Sequence, residues 1–365
     1  MIRDMFVNPI VSHPGKSLKE KIEEDGMSIK EFAVRTDKPE KTIHAVIKGE
    51  SSITSDMAIA FESVTGIKAS FWIRRQGQYE EFMARERREE EHRKAIDWAR
   101  KFDYCSMSKM GWVPVCKNVQ DRVSNLFSYF KMGSTNAWEN YYLAGQLKVS
   151  FRASLKNLKD PYNTSAWLRR GVIQAEQIDC LEYNQEILKS LIVEMKQLMV
   201  DCPQDYLTQL QFLCKKAGVK LVYTPRLKKV PVNGAMRWVG ENPVVQLSDK
   251  QKSYDVFWFS FFHEIGHVLL NKKKSIYIEY DDKKSYSEDV ITEENNADNF
   301  AAKTLLSKEA EDEMVNNRAF SKADIYKYAK KYHTHPSIIV GRLHHIGALP
   351  YSALNDLIPH VEICK

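Results

Sequence analysis

The chain has 365 residues, of which 43% are hydrophobic and 28% are charged, and its formal net charge is +6. This length exceeds a typical single domain, so we expect two or three domains of soluble, globular composition. No apolar run approaches the roughly 18 residues that span a bilayer, and no signal-peptide pattern follows Met1. We therefore expect a cytoplasmic protein that does not cross a membrane. The mild positive charge permits nucleic-acid binding without requiring it.

The six cysteines are scattered along the chain without the C-x-x-C spacing of a zinc or redox motif. This pattern predicts neither a disulfide framework nor a cysteine zinc site. We expect free and mostly buried thiols at Cys105, Cys116, Cys180, Cys202, Cys214 and Cys364.

Residues 1–80 are predicted to form a domain of short helices. Ser17-Leu18-Lys19-Glu20 and Ser28-Ile29-Lys30-Glu31 each fit a capping box, in which a serine and a glutamate satisfy the first backbone amides of a helix. A turn leads into a helix over Glu40–Lys48, which Gly49 closes. Short helices joined by a tight turn indicate a helix-turn-helix. Two further helices are expected, over Ser55–Thr65 and from Ser70 to about Tyr79.

The helix over residues 40–48 is the predicted recognition helix for DNA. Its apolar residues Ile43, Val46 and Ile47 are expected to face inward and to leave a polar outer surface. One copy contacts few base pairs, so we expect a homodimer on a palindromic operator. The alternative is a helical interaction bundle with a solvated basic face. The expected phosphate or base contacts are Lys38, Lys41, Thr42, His44 and Lys48.

Three runs in this region resemble the HigA-type antitoxins, which are XRE-like helix-turn-helix repressors of toxin–antitoxin operons. The resemblance implies operator DNA and a toxin as partners. The run Lys38-Pro39-Glu40 departs from the small polar residues that many such proteins carry there, so it leaves individual base contacts unassigned. The three runs are His13-Pro14-Gly15, Gly49-Glu50-Ser51-Ser52-Ile53-Thr54 and Gly66-Ile67-Lys68-Ala69-Ser70-Phe71-Trp72.

Residues 81–200 are predicted to form a charged helical linker followed by a helical middle region. Opposite charges recur at helical spacings between Glu80 and Lys101, which favours an exposed helix. The interleaved glutamates argue against the alternative, an RNA-binding arginine cluster. The run Ser165-Ala166-Trp167-Leu168-Arg169-Arg170-Gly171 resembles peptidase-containing members of the HigA group, and its residues suggest no role by themselves.

Residues 201–365 are predicted to begin with a helix and a small antiparallel sheet, and the whole chain to be mainly α with that sheet, an α+β fold. The strands are separated by proline and glycine turns. Arg237 and Trp238 are expected either to line a substrate cleft beside the sheet or to be salt-bridged or packed at its surface. The expected strands are Val219–Tyr223, Ala235–Val239, Val244–Ser248 and Ser275–Tyr280.

The stretch Phe257–Leu270 contains the motif H-E-x-x-H. On a helix, His263 and His267 lie on one face, so both imidazoles can bind one zinc ion. Glu264 beside them can accept a proton from a water that the ion polarises. Apolar neighbours on every side predict a helix buried in a core. The alternative for the motif alone is a set of hydrogen-bonded core residues.

A second helix is predicted over Glu293–Leu306, with two alanines that permit close approach to the first helix. Glu294 is the predicted third zinc ligand, because such a site needs three protein ligands and one open position. Asp298, one turn later, is predicted to accept the remaining ring N–H of a zinc-binding histidine. Glu293 is the second choice of ligand. The alternative for Glu294 and Asp298 is a solvated acidic helix start.

The second part of the chain resembles the ImmA/IrrE family of metallopeptidases over roughly its last 160 residues. Members of that family are zinc proteins that are often paired with transcriptional repressors, and some cleave a repressor partner. The resemblance therefore implies that a regulatory protein is the substrate. It is carried by Gly234-Ala235-Met236-Arg237-Trp238, Pro243-Val244-Val245-Gln246-Leu247-Ser248, the H-E-x-x-H helix and the Glu-x-x-x-Asp helix.

Four histidines lie near the end of the chain, where two helices are predicted between Ser321 and His345. They suggest a second metal site or a donor that stabilises an oxyanion near the zinc. The helix pattern instead favours surface or capping positions for most of them. They are His333, His335, His344 and His345.

Together these patterns predict a DNA-binding repressor or antitoxin whose zinc-dependent peptidase domain hydrolyses a regulatory partner. The alternative is an antitoxin-repressor without proteolytic activity, which neutralises a HigB-like toxin by binding and whose zinc site is structural or sensory. A free-standing digestive protease is disfavoured, because an attached DNA-binding domain indicates regulation.

Overall fold

The structure is a computed structural model that describes residues 11–143, 160–228, 230, 232–250, 252–270, 277–280, 288–318 and 320–363. The chain divides into two compact units, residues 1–94 and residues 95–365. The predicted boundary at residue 80 lies within the last helix of the first unit, and the predicted boundary at residue 200 lies within the second unit. Among the described residues, no helix is long and apolar enough to cross a membrane.

The first unit consists of five helices around an apolar core. Fully buried side chains from all five helices form this core, including Leu18, Phe32, Ile43, Phe61 and Trp72. The helices are α1 (Pro14–Glu24), α2 (Ile29–Arg35), α3 (Glu40–Ile47), α4 (Ser55–Thr65) and α5 (Ala69–Lys94).

Two helix ends in this unit follow the predictions and one does not. The capping box predicted at Ser17 is wrong, because α1 begins at Pro14 and the ring of His13 accepts a hydrogen bond from the Gly15 amide at 3.0 Å. Proline fits the first turn of a helix, where its missing N–H would have no partner. At α2, the hydroxyl of Ser28 accepts a bond from the Glu31 amide as predicted. Gly49 follows α3 with a φ of 77°, as expected for a helix end.

The helix α5 covers two segments that are predicted separately from the sequence, the last helix of the first domain and the charged linker. It spans 26 residues without interruption and continues through the predicted charged linker to Lys94. Its first part contributes Trp72 to the core, whereas its second part is exposed, with ion pairs such as Arg85–Glu81. The prediction of an exposed charged helix is confirmed up to Lys94.

The second unit contains twelve helices and four strands among its described residues. The helices are α6 (Ile96–Ala99), α7 (Tyr104–Lys109), α8 (Val119–Phe130), α9 (Thr135–Tyr142), α10 (Pro161–Glu176), α11 (Gln185–Asp201), α12 (Tyr206–Lys216), α13 (Tyr254–Leu270), α14 (Glu288–Leu305), α15 (Lys308–Asn316), α16 (Lys322–Lys331) and α17 (Pro336–His345). The strands are β1 (Lys220–Thr224), β2 (Val232–Val239), β3 (Asn242–Ser248) and β4 (Tyr277–Tyr280).

The α+β class is confirmed, but the sheet is mixed instead of antiparallel. Its strand order is β1-β3-β2-β4. The chain passes from β1 to β2 and returns through a tight hairpin as β3, which lies between them. The strand β3 runs antiparallel to β2 and parallel to β1, with Leu221 opposite Val245. The prediction of an antiparallel sheet is therefore wrong for β1.

Alternate residues of β2 contact two different cores. Met236 lies in the core that contains Trp258 and Phe261 of α13. Ala235 lies in the core of the helical middle region, together with Phe130 and Trp167. The strand β2 therefore separates α13 from the middle helices.

The described cysteines are free thiols, as predicted. Cys214 is buried, whereas Cys105 is exposed, and Cys116, Cys180 and Cys202 are half-buried. The expectation that most of the thiols are buried is therefore wrong. Cys364 lies outside the described residues.

Candidate metal centre

The helices α13 and α14 pack closely through small residues. A Cβ atom added at Gly266 would lie 3.2 Å from the Cα atom of Ala297 and 3.1 Å from a ring carbon of Phe300. Ala297 and Ala301 are fully buried in this contact. A larger side chain at Gly266 would push the two helices apart.

The three predicted metal ligands converge on one point between these helices. The Nε2 atoms of His263 and His267 are 3.0 Å apart. The Glu294 carboxylate lies 3.4 Å from Nε2 of His263 and 3.3 Å from Nε2 of His267. All three residues are at most 3% exposed. Among the described residues, these three form the one cluster of histidine, cysteine and carboxylate groups with metal-ligand spacing.

The spacing of these donor atoms fits a tetrahedral metal ion. A zinc ion with ligand distances of about 2.0 to 2.1 Å holds its donor atoms about 3.3 Å apart. The three measured distances lie between 3.0 and 3.4 Å. Two imidazoles and one carboxylate also match the ligand types of zinc sites that keep a fourth position open. The residues present therefore suit such an ion.

The electrostatic surroundings favour the protonation states that bind a cation. Burial lowers the pKa of His267, although Glu294 opposes this effect, so the neutral imidazole is favoured. Burial raises the pKa of Glu294, but hydrogen bonds from His263 and His267 outweigh it and hold that pKa at about 2. Neutral imidazole and ionised carboxylate are the forms that bind metals.

Asp298 occupies the position predicted for it. Its Oδ1 atom lies 2.9 Å from Nδ1 of His263, the ring nitrogen that points away from the other donor atoms. The Asp298 side chain is 32% exposed, whereas His263 is buried. A carboxylate in this place fixes the tautomer and the orientation of the imidazole.

Glu264 is fully buried beside the donor cluster and lies against β2. A Cβ atom added at Gly234 would lie 2.6 Å from the Oε1 atom of Glu264, so the carboxylate would have to shift if a larger residue stood at this position of the strand. In the sequence, Gly234 stands out only as part of a run that resembles a metallopeptidase family. Its contact with Glu264 follows from how α13 packs on β2, which spacing along the chain does not reveal.

Other candidates for this centre lie elsewhere. Glu293 is half-buried and outside the donor cluster. The ring of His333 bonds to Gln197, and the ring of His335 caps α17 by accepting from the Ser337 amide. His344 is buried and bonds to the carbonyl of Ala353. The prediction of surface or capping positions is thus confirmed for His333 and His335, but not for His344.

The residues predicted to contact DNA lie on and just before α3. Lys41 and Lys48 are exposed, and Lys38, Thr42 and His44 are half-buried. The inward face of α3 is formed by Ile43 and Val46, which are fully buried. Nε2 of His44 lies 3.6 Å from the carboxylate of Glu40, so the α3 surface combines basic groups with one acidic group.

Two segments of the chain match known protein families. Residues 18–72 match the helix-turn-helix family model, and these residues span α1 to the start of α5. Residues 253–338 match the model of peptidase U49. The second segment contains His263, Glu264, His267, Glu294 and Asp298.

Two solved structures are similar to part of the chain. One is an addiction module antidote protein of the HigA family from Coxiella burnetii, with 31% identity over 21% of this chain and 84% of that chain, and a TM-score of 0.20. The other is described as an antidote protein of a plasmid maintenance system from Nostoc punctiforme, with 26% identity over 23% of this chain and 93% of that chain, and a TM-score of 0.23. No curated protein matches the chain. The chain therefore carries a helix-turn-helix segment near its start and a peptidase U49 segment near its end.

Proposed function

We propose that this protein is a DNA-binding transcriptional repressor whose second unit is a zinc-dependent peptidase acting on a regulatory protein partner. The observation that carries the proposal is the convergence of His263, His267 and Glu294 on one point, with Glu264 beside them. This arrangement lies within the segment that matches peptidase U49. The resemblance to the ImmA/IrrE family, in which some members cleave a repressor, supports a regulatory protein as substrate.

The roles of the residues follow from their positions. His263, His267 and Glu294 hold the zinc ion, and Asp298 orients His263 through its Nδ1 atom. When bound, zinc supplies Lewis-acid polarisation of water and of a peptide carbonyl. Glu264 acts as the general base that accepts the proton of the attacking water and then donates it to the leaving amine.

The sheet offers a way to hold the substrate. Among the described strands, β4 lies at one edge, next to β2, and β2 contacts Glu264 through Gly234. An extended peptide can add to an edge strand through backbone hydrogen bonds, which would fix the position of its scissile bond. We therefore assign β4 as the docking strand.

The first unit is proposed to bind operator DNA in the cytoplasm as a homodimer. Lys38, Lys41, Thr42, His44 and Lys48 form the contact surface on and before α3. The match of residues 18–72 to the helix-turn-helix family supports this role. Two copies of α3 on a palindromic operator would contact two half-sites.

The burial of the metal centre favours a second candidate function. Glu264 and the three ligands are at most 3% exposed, so little surface of the metal centre is open to a peptide substrate. In this case the protein is an antitoxin-repressor that neutralises a HigB-like toxin by binding alone. Its metal site would then stabilise the fold or sense metal.

The decisive experiment is to purify the wild type and Glu264→Gln, measure their zinc content, and incubate each with the product of the adjacent gene and with itself. We expect zinc in both proteins and cleavage by the wild type alone, with a rate loss of about 10² to 10⁴ in the variant. Cleavage that survives unchanged in Glu264→Gln contradicts the proposed mechanism. Zinc in both, tight partner binding and no cleavage favours the second candidate.

Metal removal separates the two candidates independently. If the zinc is catalytic, the chelated protein keeps its far-UV circular dichroism and melting transition but loses hydrolysis. If the zinc is structural, its removal unfolds the second unit, because metal binding then contributes directly to folding free energy.

A further inference from the structure

A cavity separate from the metal centre lies on the face of β2 that points away from Glu264. Gly234 and Arg237 are an odd number of residues apart, so their side-chain directions lie on opposite faces of the strand. The cavity has a volume of about 510 Å³ and lies between α8, α9, α10 and the end of β2. Its lining includes three cationic side chains, those of Lys131, Arg169 and Arg237, and no carboxylate.

Arg237 is an unusual buried cation. Its side chain is 6% exposed, and its Nη1 atom donates a long bond of 3.4 Å to the carbonyl of Leu168. Among the described residues, its guanidinium forms no ion pair with a carboxylate. Burial lowers the pKa of Arg237; Tyr142, Tyr141 and Glu176 oppose this effect, and Arg169 adds to it. A buried guanidinium without a carboxylate is costly unless a ligand supplies the negative charge.

The neighbouring cations leave a positive excess in this cavity. Nη1 of Arg169 and Nζ of Lys131 are each 3.6 Å from one carboxylate, that of Glu176. Among the described residues, these three cations share one carboxylate, so this part of the cavity wall carries a net positive charge. Arg169 lies in the run Ser165–Gly171, whose residues suggest no role by themselves, and the structure brings it into this cavity together with Arg237.

Aromatic rings form much of the remaining wall. Phe130, Tyr141 and Tyr142 line the cavity beside the arginines. Planar rings of this kind stack on nucleic-acid bases, and arginine forks bind phosphate oxygens. A volume of this size lies in the range of small-molecule sites.

We propose that this cavity binds a phosphate monoester joined to a planar ring, the chemistry of a mononucleotide. The monoester carries close to two negative charges at neutral pH, which match the positive excess. Arg237 and Arg169 bind the phosphate, and the aromatic wall contacts the base. The site is separate from the metal centre, so its binding can be measured without peptide hydrolysis.

The test is calorimetric titration of the full-length protein with AMP, GMP, adenosine and inorganic phosphate. We expect at least one nucleotide to bind, and adenosine and phosphate each to bind about tenfold more weakly or worse, since each lacks one part of the recognised group. If neither AMP nor GMP binds at millimolar concentration, the proposal is overturned. If inorganic phosphate binds as tightly as the nucleotides, the proposed contact between the aromatic wall and the base is overturned.

Two matched variants locate the site. Arg237→Met should weaken nucleotide binding by about tenfold or more while the protein stays folded, because an aliphatic side chain suits a buried position. Arg170→Met is the control: the Arg170 guanidinium lies over Trp112 at 6.0 Å and does not line the cavity. If Arg237→Met and Arg170→Met weaken nucleotide binding equally, the assignment of the nucleotide site to this cavity is wrong.

A third variant keeps the test decisive if Arg237→Met does not fold. Lys131 lies at the surface with a φ of 54°, a conformation that asparagine accepts. Lys131→Asn removes one cation of the cavity without touching the core, so we expect nucleotide affinity to fall by about twofold to fivefold at low salt. Unchanged affinity in this variant counts against the phosphate position.

Discussion

The helices α3 and α13 carry their candidate functional residues in opposite ways. In α3, the lysines lie at the surface while Ile43 and Val46 hold the helix in its core. In α13, His263, Glu264 and His267 are themselves buried among the apolar residues of the core. Function and stability therefore depend on different side chains in α3 and on the same side chains in α13. Substitutions of the exposed lysines on and beside α3 should change DNA binding without changing stability. Substitutions of the buried residues in α13 and α14 should change both metal binding and stability.

The largest effect is expected for the carboxylate ligand. Glu294→Gln should weaken zinc binding by more than the factor of about 10 to 100 that loss of an outer partner costs. Glu293→Gln, one residue earlier and outside the donor cluster, is the matched control and should bind zinc like the wild type. Competition with a chromophoric chelator measures both affinities. If Glu293→Gln weakened zinc binding and Glu294→Gln did not, Glu293 would be the ligand.

The helix contact at Gly266 is expected to show the next largest effect. Gly266→Val places two methyl groups against Ala297 and Phe300 and should destabilise the second unit by about 1 to 3 kcal/mol. Gly77→Val is the control, because no atom lies within 4 Å of a Cβ atom at this position of α5. Urea denaturation of both variants compares them. Equal stabilities would show that α13 and α14 can separate without cost.

The third prediction concerns acid stability without metal. The pKa of Glu294 is about 2 in the folded protein, below its ordinary value of 4.5. Because this pKa is lowered, the stabilisation by the ionised carboxylate is present above pH 4.5 and is lost as the pH falls toward 2. The difference in unfolding free energy between chelated wild type and chelated Glu294→Gln should shrink across this window. A constant difference would mean that the histidines do not hold the carboxylate ionised.

The smallest effect on stability is expected at the α3 surface. The double change Lys41→Ala with Lys48→Ala should reduce the slope of log affinity for operator DNA against log salt by about 2. The unfolding transition should change by less than about 0.5 kcal/mol, because both side chains are exposed. Lys19→Ala on α1 removes another exposed lysine and serves as the control. An unchanged salt slope in the double variant would exclude α3 as the recognition helix.

The sequence predicts local features of this protein better than contacts between distant segments. The i, i+4 spacing of His263 and His267 and the shared face of Glu294 and Asp298 suffice to anticipate the donor cluster, because helix geometry is regular. The parallel pairing of β1 with β3 is not predicted, because it depends on the spatial order of the strands in the sheet. The cavity at Arg237 was missed for the same reason: its arginines are 68 positions apart in the chain.

The contact between Gly234 and Glu264 bears on how this peptidase segment can be inherited. Residues 253–338 contain every donor atom of the metal centre, but Gly234 precedes them. A gene fusion that transferred only the matching segment would thus carry the proposed ligands without the strand against which Glu264, the proposed general base, rests. If Glu264 has that role, recombination that preserves it has to include β2, and the unit of exchange between proteins is longer than the segment that family comparison recognises.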